Sequence, residues 1–305
     1  MNPVATAGTF DGVHTGHQRI LTEVVRLARK RGVPAVVITY WPHPRLVLYP
    51  EQTDLKLLSS LPEREALLKA AGIDEVVVLP FTKEFATLTY SQYAERILRD
   101  QLNVGVFVIG HDHQFGRGRE GSFDKIKELA PGLGFKVVEI PAWLVEENTV
   151  SSTRIRHALE AGDLALAHRY LGRRYRFDGT VVHGKKLGRT LGYPTLNIEL
   201  DERHKLLPQM GVYAVRVQVN GQWHGGAMNI GLNPTVAGKG FSVEVFVFDF
   251  NQDVYGQHVT VECLARLRAE VKFDSLEALV VQMKDDERQA RVVVGNAEKW
   301  AQNSI

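Results

Sequence analysis

The chain has 305 residues, of which 44% are hydrophobic and 24% are charged, and its formal net charge is +2. This composition is typical of a globular protein, and the length favours two domains. The small net charge, without a basic block or tail, argues against a nucleic-acid-binding protein. Because no apolar run reaches the length of a membrane span, we expect neither a signal peptide nor a membrane partner. The single cysteine, Cys263, excludes an internal disulfide and favours a reducing cytoplasm.

A glycine-rich segment, GTFDGVHTGH (Gly8–His17), joins a short apolar strand to an amphipathic helix predicted over Gln18–Arg31. A helix N-terminus binds anions through its free backbone N–H groups. His14 and His17 add donors for a phosphate whose bond is breaking, and Gly16 between them has no Cβ to hold that phosphate away. This H-x-G-H pattern predicts adenylyl transfer from ATP. Histidines in packing or at the surface are one alternative, and a metal site that lacks a nearby third ligand is another.

Up to about residue 142, continuous apolar runs alternate with helical segments. Buried parallel strands joined by helices give this pattern, so the first half is predicted to be a doubly wound α/β domain. Ligands in such domains bind beyond the carboxyl ends of the strands. The strands are predicted at Ala35–Ile38, Val76–Leu79, Val104–Ile109 and Val137–Ile140, and the helices at Pro62–Ala70, Ser91–Leu102 and Ser122–Ala130.

Two further polar segments are predicted at this edge of the sheet. Trp41–Pro44 (WPHP) follows the second strand, and Gly110–Gly116 (GHDHQFG) follows the fourth. In the second segment, Asp112 is the candidate for contacting nucleotide or ordering the loop. The His111-x-His113 spacing leaves a metal site as the weaker alternative, since no third ligand converges on it in sequence.

The segment SSTRIR (Ser151–Arg156) opens the first of two linking helices, which are predicted over Arg154–Ala161 and Leu164–Leu171. Hydroxyl groups and arginines at a helix start offer donors to a polyphosphate, and simple N-capping is the alternative. Paired with the Gly8–His17 segment, SSTRIR is interpreted as phosphate-binding. The candidate residues are Ser152, Thr153 and Arg156.

From Tyr175 onward the hydrophobic period changes to two, as in the alternation of Val215, Val217 and Val219 with polar residues. Short alternating strands separated by Gly, Pro and Asn predict an antiparallel β-barrel, and a final helix is expected from about Ser275 to Val294. The sequence thus predicts an α/β domain over residues 1–172, linking helices included, and a barrel domain over residues 173–305.

The barrel domain contains a second group of phosphate candidates. It is not a P-loop, because no G-K-[ST] precedes a helix. The group leads into a strand on which Thr195 and Asn197 share one face, and a hydroxyl beside an amide oxygen suits Mg²⁺, with a solvent-facing polar edge as the alternative. The group itself consists of Gly184, Gly188 and Gly192, spaced four apart, with Lys185, Lys186 and Arg189 between them.

Glu244 lies on an alternating strand whose valines are predicted to face the core. It then shares the other face with Phe246 and Phe248. A carboxylate among aromatic side chains is a better base for a hydroxyl proton than a fully hydrated one. An ordinary solvated glutamate on a surface face is the alternative.

Together these segments resemble the bifunctional prokaryotic riboflavin kinase/FAD synthetase family over nearly the whole chain. GTFDGVHTGH, WPHP, GHDHQFG and VSSTRIR are similar to the adenylyltransferase motifs of that family. Nine motifs in family order make a chance match implausible. The riboflavin kinase motifs are matched by GRTLGYPTLN (Gly188–Asn197), GVYAV (Gly211–Val215), NIGLNPTV (Asn229–Val236), VEVFVFDF (Val243–Phe250) and RLRAEVKFDS (Arg266–Ser275).

The resemblance implies two reactions, phosphorylation of riboflavin to FMN by ATP and then adenylylation of FMN to FAD with release of pyrophosphate. It implies that His14 and His17 stabilise phosphates, that Glu244 is the base of the kinase, and that Thr195 and Asn197 hold Mg²⁺. We expect no obligate protein partner. The resemblance further implies ATP binding by Gly8, Thr9, Phe10, Asp112, Ser152, Thr153 and Arg156 in the first domain and by Gly184, Lys186, Gly188, Gly192, Thr195 and Asn229 in the second, and flavin binding by Arg268 and Phe273.

The chain departs from the family pattern at Leu196, where alanine is common, and at Phe246, where histidine is common. Leu196 points away from the expected metal face, whereas Phe246 shares a face with Glu244. Two other functions stay open. One is a nucleotidyltransferase for a different phosphate compound with an appended barrel, and the other is a barrel that binds flavin without phosphorylating it.

Overall fold

The computed structural model describes residues 2–51, 55–110, 114–140, 144–145, 148–184, 192–235 and 238–302. Internal contacts divide the chain into two compact units, Met1–Ser152 and Thr153–Ile305. The first unit contains the parallel sheet and the second contains the barrel.

The sheet of the first unit has five parallel strands in the order β3-β2-β1-β4-β5, so the first strand lies at its centre. A short ribbon, β6 (Leu144–Val145) with β7 (Asn148–Thr149), follows it. The strands are β1 (Val4–Ala7), β2 (Ala35–Trp41), β3 (Glu75–Pro80), β4 (Val106–Gly110) and β5 (Lys136–Ile140). The helices are α1 (Thr15–Arg31), α2 (Pro44–Leu48), α3 (Leu61–Ala70), α4 (Tyr90–Tyr93), which continues as π-helix over Ala94–Gln101, and α5 (Phe123–Leu133), with 3₁₀ turns at Phe85–Thr87 and Arg117–Arg119.

Apolar side chains cover both faces of this sheet. On one face Phe107 and Ile38 pack with the π-helical residues Ile97 and Leu98. The opposite core includes Val37, Val106 and Val108 from the strands, and Leu21, Val24 and Leu68 from α1 and α3. Alternation of strand residues between two cores is what a sheet with helices on both sides requires. The predicted doubly wound α/β domain is confirmed.

The second unit begins with two helices and continues into a closed antiparallel barrel with strand order β10-β11-β12-β9-β8-β13. Its terminal helix packs on the barrel wall, where Ala290 and Val294 contact Ala214 and Phe248. The predicted barrel and terminal helix are confirmed. The elements are α6 (Ser152–Glu160), α7 (Leu164–Leu171), β8 (Arg176–Val182), β9 (Thr195–Leu200), β10 (Gly211–Val219), β11 (Gln222–Thr235), β12 (Gly238–Val247), β13 (His258–Arg268) and α8 (Leu276–Gln302).

The linking helices group with the barrel, whereas the predicted boundary at residue 172 placed them with the sheet. A contact between distant residues explains the difference: the N–H of Gln209 donates to the carbonyl of Leu159 in α6 at 2.9 Å. In addition, a Cβ at Gly162, in the turn between the two helices, would lie 2.9 Å from Arg266 Cδ of β13. As a division between two activities, the boundary at 172 stays a prediction.

Candidate active sites

The loop that carries the H-x-G-H pattern lies where the strand order of the first sheet reverses. β1 has β2 on one side and β4 on the other, and the chain leaves β1 at Gly8 and enters α1 at Thr15. Ligands of open parallel sheets bind at such a switch point, beyond the carboxyl ends of the strands. Gly8 is tied to the sheet, since its N–H donates to the Ile38 carbonyl at 3.0 Å. The fold therefore places Gly8–His17 at the predicted edge.

Three residues of this loop have left-handed backbone, with φ of 46° at Phe10, 82° at Gly12 and 38° at Val13. For the two non-glycine residues this conformation costs about 1–3 kcal/mol each. A Cβ at Gly12 would lie 2.8 Å from Leu58 Cδ1, so glycine is required there on steric grounds as well. So costly a conformation persists only where surrounding contacts hold it.

Asp11 supplies several of those contacts from inside the loop. Its residue is 1% exposed, and its carboxylate accepts the N–H groups of Leu58 and Ser59 at 3.0 Å each. The N–H of Gly12 donates to Ser59 Oγ at 3.0 Å. Ser152 Oγ donates to the Asp11 carbonyl at 2.9 Å. Ser152 thus fixes the backbone of the loop, and its direct contact with ATP stays a prediction.

His14 and His17 lie together, as their spacing predicts. His14 is the N-cap of α1, and its Nδ1 accepts the N–H of His17 at 3.3 Å. Because Nδ1 accepts, the neutral His14 ring carries its proton on Nε2 and can donate it to an anion. The two rings stack with centroids 3.6 Å apart, and Phe10 meets His17 edge-on at 5.1 Å between centroids. A Cβ at Gly16 would lie 3.2 Å from the His14 ring, so Gly16 also makes room for that ring.

The other residues predicted to bind ATP lie in different parts of the chain, and some are outside the described residues. Thr9 is turned toward the sheet, because its carbonyl accepts from Thr39 Oγ1 at 3.3 Å. Thr153 and Arg156 lie on α6, and contacts group them with the second unit. Their roles stay predictions. Asp112, with His111 and His113, and Lys186 and Gly188 of the barrel lie outside the described residues.

The second candidate site is a row of polar residues across three neighbouring barrel strands. Glu244 on β12 pairs with Asn229 on β11 and with Asn197 on β9. Directly paired residues of antiparallel strands present their side chains on the same face, so these three polar groups lie side by side. Thr195 Oγ1 donates to Glu244 Oε2 at 3.3 Å. The register therefore collects the predicted base, the predicted metal ligands and Asn229.

Aromatic side chains border this row on the face of Glu244, as the alternation predicts. The ring centroid of Phe246 lies 4.9 Å from that of Tyr193 and 5.8 Å from that of Phe248. The valines of β12 are buried on the opposite face. The carboxylate of Glu244 thus stands beside an aromatic surface, and its role as base stays a prediction.

A cavity of about 540 Å³ opens beside Thr195 and Asn197. Gly184 also lines it, and a Cβ at Gly184 would overlap the Asn197 amide, so the glycine leaves the place that this amide occupies. The oxygen atoms of a hydroxyl, an amide and the neighbouring Glu244 carboxylate form a donor set that Mg²⁺ prefers. The residues present therefore fit the predicted cation. Gly192, farther along the chain, has a φ of 83°.

Arg268 and Phe273, the predicted flavin residues, lie together, but the terminal helix also engages Arg268. Its Nε and Nη2 donate to the two carboxylate oxygens of Asp286 at 2.8 and 2.6 Å. Its guanidinium carbon lies 5.8 Å from the centroid of the Phe273 ring. Arg268 therefore joins β13 to α8 next to Phe273, and contact with flavin stays a prediction for both residues.

Sequence reasoning missed several residues that build these sites. Asn229 Nδ2 donates to Glu270 Oε1 at 3.3 Å, which puts a second carboxylate beside the polar row. Asp11 and Asp286 are buried carboxylates in structural contacts. Asp11 could have been found from its position inside the Gly8–His17 motif. No feature of the sequence indicates that Asp286 pairs with Arg268.

Residues 1–154 match a family model described as FAD synthetase, and residues 171–294 match one described as riboflavin kinase. The bifunctional riboflavin kinase/FMN adenylyltransferase of Pseudomonas fluorescens is 40% identical over 291 residues, which are 95% of this chain and 92% of that protein. The chain belongs to the bifunctional riboflavin kinase/FAD synthetase family. A second relative in this family, from Escherichia coli (strain K12), is 38% identical over 293 residues, 96% of this chain and 93% of that protein.

A solved structure of a Streptococcus pneumoniae protein described as a macrolide-efflux protein is similar to this family member throughout. The TM-score is 0.88 at 37% sequence identity, and the match covers 95% of this chain and 94% of that chain. Among the residues that the structure describes, no helix combines the length and the apolar character that crossing a membrane requires. The resemblance of the sequence to the bifunctional family is confirmed.

Proposed function

We propose that this family member phosphorylates riboflavin to FMN in its barrel unit and adenylylates FMN to FAD in its sheet unit, with ATP as the donor in both reactions. The observation that carries the proposal is the presence of two separate phosphate-type sites. The Gly8–His17 loop lies within the region similar to FAD synthetase, and the row Asn229–Glu244–Asn197 lies within the region similar to riboflavin kinase. We expect both reactions to take place in a reducing cytoplasm. The single thiol, that of Cys263, is buried in the fold, which raises its pKa to about 12 and keeps it protonated.

In the kinase reaction, the 5′-hydroxyl oxygen of riboflavin attacks the γ-phosphorus of ATP, and ADP leaves as the bridging bond breaks. Glu244 is suited to accept the hydroxyl proton, because its carboxylate lies beside the oxygen donors of Thr195 and Asn197. These two residues would hold Mg²⁺, which supplies positive charge to the transferring phosphoryl group when bound. Asn229, paired directly with Glu244, would orient the carboxylate or the phosphates.

In the adenylyl reaction, a phosphate oxygen of FMN attacks the α-phosphorus of a second ATP, and pyrophosphate leaves. The charge that develops on the phosphate oxygens is met by the Nε2–H of His14, by His17 and by the N–H groups at the start of α1. Donors that a rigid loop holds in place need little reorganisation as the bond breaks. The contacts of Asp11 and Ser152 supply that rigidity.

The proposed function is tested by a chromatographic time course of the purified full chain with riboflavin, ATP and Mg²⁺. We expect FMN to appear first and FAD to follow. Production of FMN without FAD, even from added FMN, would remove the adenylyl assignment. FAD from added FMN without turnover of riboflavin would reduce the barrel to a flavin-binding module. If no flavin product forms, the Gly8–His17 site acts on another substrate.

A further inference from the structure

Arg64 lies in the core of the first unit, yet its guanidinium is only partly paired. The residue is 0% exposed, and its Nη1 donates to Thr39 Oγ1 and to the Tyr40 carbonyl at 3.3 Å each. Its Nε and Nη2 are buried and have no hydrogen-bond partner among the residues that the structure describes. Burying a charge with two unpaired donors costs free energy. Packing alone is therefore a poor reason for an arginine at this position.

The contacts of Arg64 lead to the Gly8–His17 loop. Thr39 Oγ1 accepts from Arg64 and donates to the carbonyl of Thr9 at 3.3 Å. In a trans peptide, a carbonyl and the following N–H point in opposite directions. A Thr9 carbonyl held toward β2 therefore turns the N–H of Phe10 away from the sheet. Phe10 is also one of the loop residues with left-handed φ, so this peptide group needs external support.

Arg64 also interacts electrostatically with the carboxylate of Asp11 in the Gly8–His17 loop. Burial lowers the pKa of Arg64, while the carboxylates of Asp11, Glu63 and Glu65 act in the opposite direction. Glu63 and Glu65 are neighbours on the same helix, whereas Asp11 belongs to the loop itself. A buried carboxylate in a loop that receives a triphosphate would repel it, and a nearby buried guanidinium offsets that repulsion.

We propose that Arg64 is a positioning residue of the adenylyltransferase site. It holds the Thr9–Phe10 peptide through Thr39 and offsets the charge of Asp11, so that the loop accepts the triphosphate of ATP. The inference rests on the proposed function of the Gly8–His17 loop. It assigns no contact between Arg64 and the substrate.

The test compares Arg64→Met and Arg64→Lys in the full chain. For FAD formation from FMN, we expect Arg64→Met to raise the KM for ATP about tenfold or more. The variant lacks the positive charge that offsets the buried carboxylate of Asp11. Arg64→Lys, which keeps the charge, should recover part of that loss. Circular dichroism and urea unfolding are the folding controls, and riboflavin phosphorylation, which is proposed for the barrel unit, should not change. A matched variant is Arg26→Met, since Arg26 is exposed and paired with Glu23 on α1.

A merely structural role would give a different pattern: the kcat for FAD formation would fall with the folded fraction, and the KM for ATP would not change. Thr39→Val is the second variant, because it removes the link to Thr9 and leaves Arg64 with the Tyr40 carbonyl. It should raise the same KM by a smaller factor. An unchanged KM for ATP in both Arg64→Met and Thr39→Val overturns the inference. If Arg64→Met does not fold, Thr39→Val decides the inference: a raised KM for ATP supports it, and an unchanged KM for ATP overturns it.

Calorimetric titration with ATP separates this inference from the proposed function. If the unmodified chain makes no FAD from added FMN, the proposed adenylyl transfer to FMN fails. The role of Arg64 is then judged by ATP affinity alone. A weaker ATP site in Thr39→Val supports it, and an unchanged affinity overturns it.

Discussion

The two sites of this chain handle the same co-substrate by different means. In the sheet unit, one contiguous loop, Gly8–His17, offers backbone N–H groups and two stacked imidazoles at a helix N-terminus. In the barrel unit, side-chain oxygens from three strands are collected by register, with Glu244 between Asn197 and Asn229. The first site therefore depends on the conformation of a few peptide groups. The second depends on individual side chains that the strands of a closed barrel bring side by side.

The units also differ in the charges that they bury. The sheet unit buries the guanidinium of Arg64, which is 0% exposed, and the carboxylate of Asp11, which is 1% exposed. The barrel unit buries Glu262, 1% exposed, among guanidinium groups. Its carboxylate accepts from Arg174, Arg176 and Arg216, with N–O distances from 2.5 to 3.1 Å. The buried carboxylate of Glu262 is therefore compensated by guanidinium groups, whereas that of Asp11 in the sheet unit accepts backbone N–H groups of Leu58 and Ser59.

The largest effect is expected from replacing both His14 and His17 by Ala. FAD formation from FMN should fall about 1,000-fold or more, because donors to the developing phosphate charge are removed. FMN formation from riboflavin should be unchanged, since the polar row of the barrel is intact. Chromatography of both products from one reaction gives the two rates. Loss of both activities in a variant with native circular dichroism would contradict the separation of the sites.

The reverse separation is expected from Asn197→Ala. Riboflavin phosphorylation should fall about 100-fold or more, and the Mg²⁺ concentration for half-maximal rate should rise, because a cation ligand is lost. Conversion of added FMN to FAD should continue at the original rate. Glu199→Ala is the matched control, since Glu199 is exposed on the same strand. Normal phosphorylation by Asn197→Ala would remove Asn197 from the cation site.

The comparison also explains how much of each site could be predicted from the sequence. The Gly8–His17 site is contiguous, so a strand, a glycine loop and two histidines one turn apart were sufficient to place it. In the barrel, alternation predicted that Thr195 and Asn197 share a face. The neighbours of Glu244 depend on strand order and register, which local pattern does not encode. For the same reason, Glu270 and Asp286 were missed.

The architecture shows the same division between local and distant information. Hydrophobic period predicted the parallel sheet, the barrel and α7 (Leu164–Leu171), whose observed bounds equal the predicted ones. The short helix α2 (Pro44–Leu48), which His43 caps, was not predicted because it has no apolar stripe long enough to show a period. The grouping of the linking helices with the barrel rests on the Gln209–Leu159 hydrogen bond between residues far apart in sequence. Adjacency of that kind is visible only in the fold.

A smaller effect, on backbone alone, is expected from Gly12→Ala. Its φ of 82° and a Cβ distance of 2.8 Å to Leu58 make alanine strained there. We expect FAD formation to fall about tenfold or more. Gly32→Ala is the control, because Gly32 has a φ of 64° at the end of α1 with no heavy atom within 4 Å of its Cβ position. It should lower stability by about 1 kcal/mol and leave both activities unchanged, as measured by urea unfolding and product formation. Equal losses of FAD formation in both variants would mean that loop conformation is not what limits this site.

The smallest effect concerns His168 of α7, which lies near the Glu262 cluster. Burial, with Arg174 and Arg173, lowers the pKa of His168 to about 4, although Glu262 acts in the opposite direction. Its Nε2 is buried without a hydrogen-bond partner among the described residues. The neutral ring is therefore the form that the folded barrel unit accommodates. Burial alone would raise the pKa of Glu262, but its arginines outweigh that and hold the pKa below 4.5, so the carboxylate responds only at lower pH.

The direction in which folding stability changes with pH follows from proton binding at His168. Between pH 6.5, the ordinary pKa of histidine, and about 4, the unfolded chain binds a proton at His168 that the folded chain excludes. Folding stability should therefore decrease as the pH falls through this window, by about 1–2 kcal/mol after allowance for solvent screening. His168→Leu should remove that part of the decrease, and His157→Leu, at an exposed position of α6, should retain it. The loss of stability is measured by hydrogen exchange of the β13 amides at pH 7 and pH 5, in both variants and in the unmodified chain. The amides of β1 and β4, in the sheet unit, should show no change that depends on His168. If His168→Leu loses protection on acidification as the unmodified chain does, the acid sensitivity of the barrel arises elsewhere.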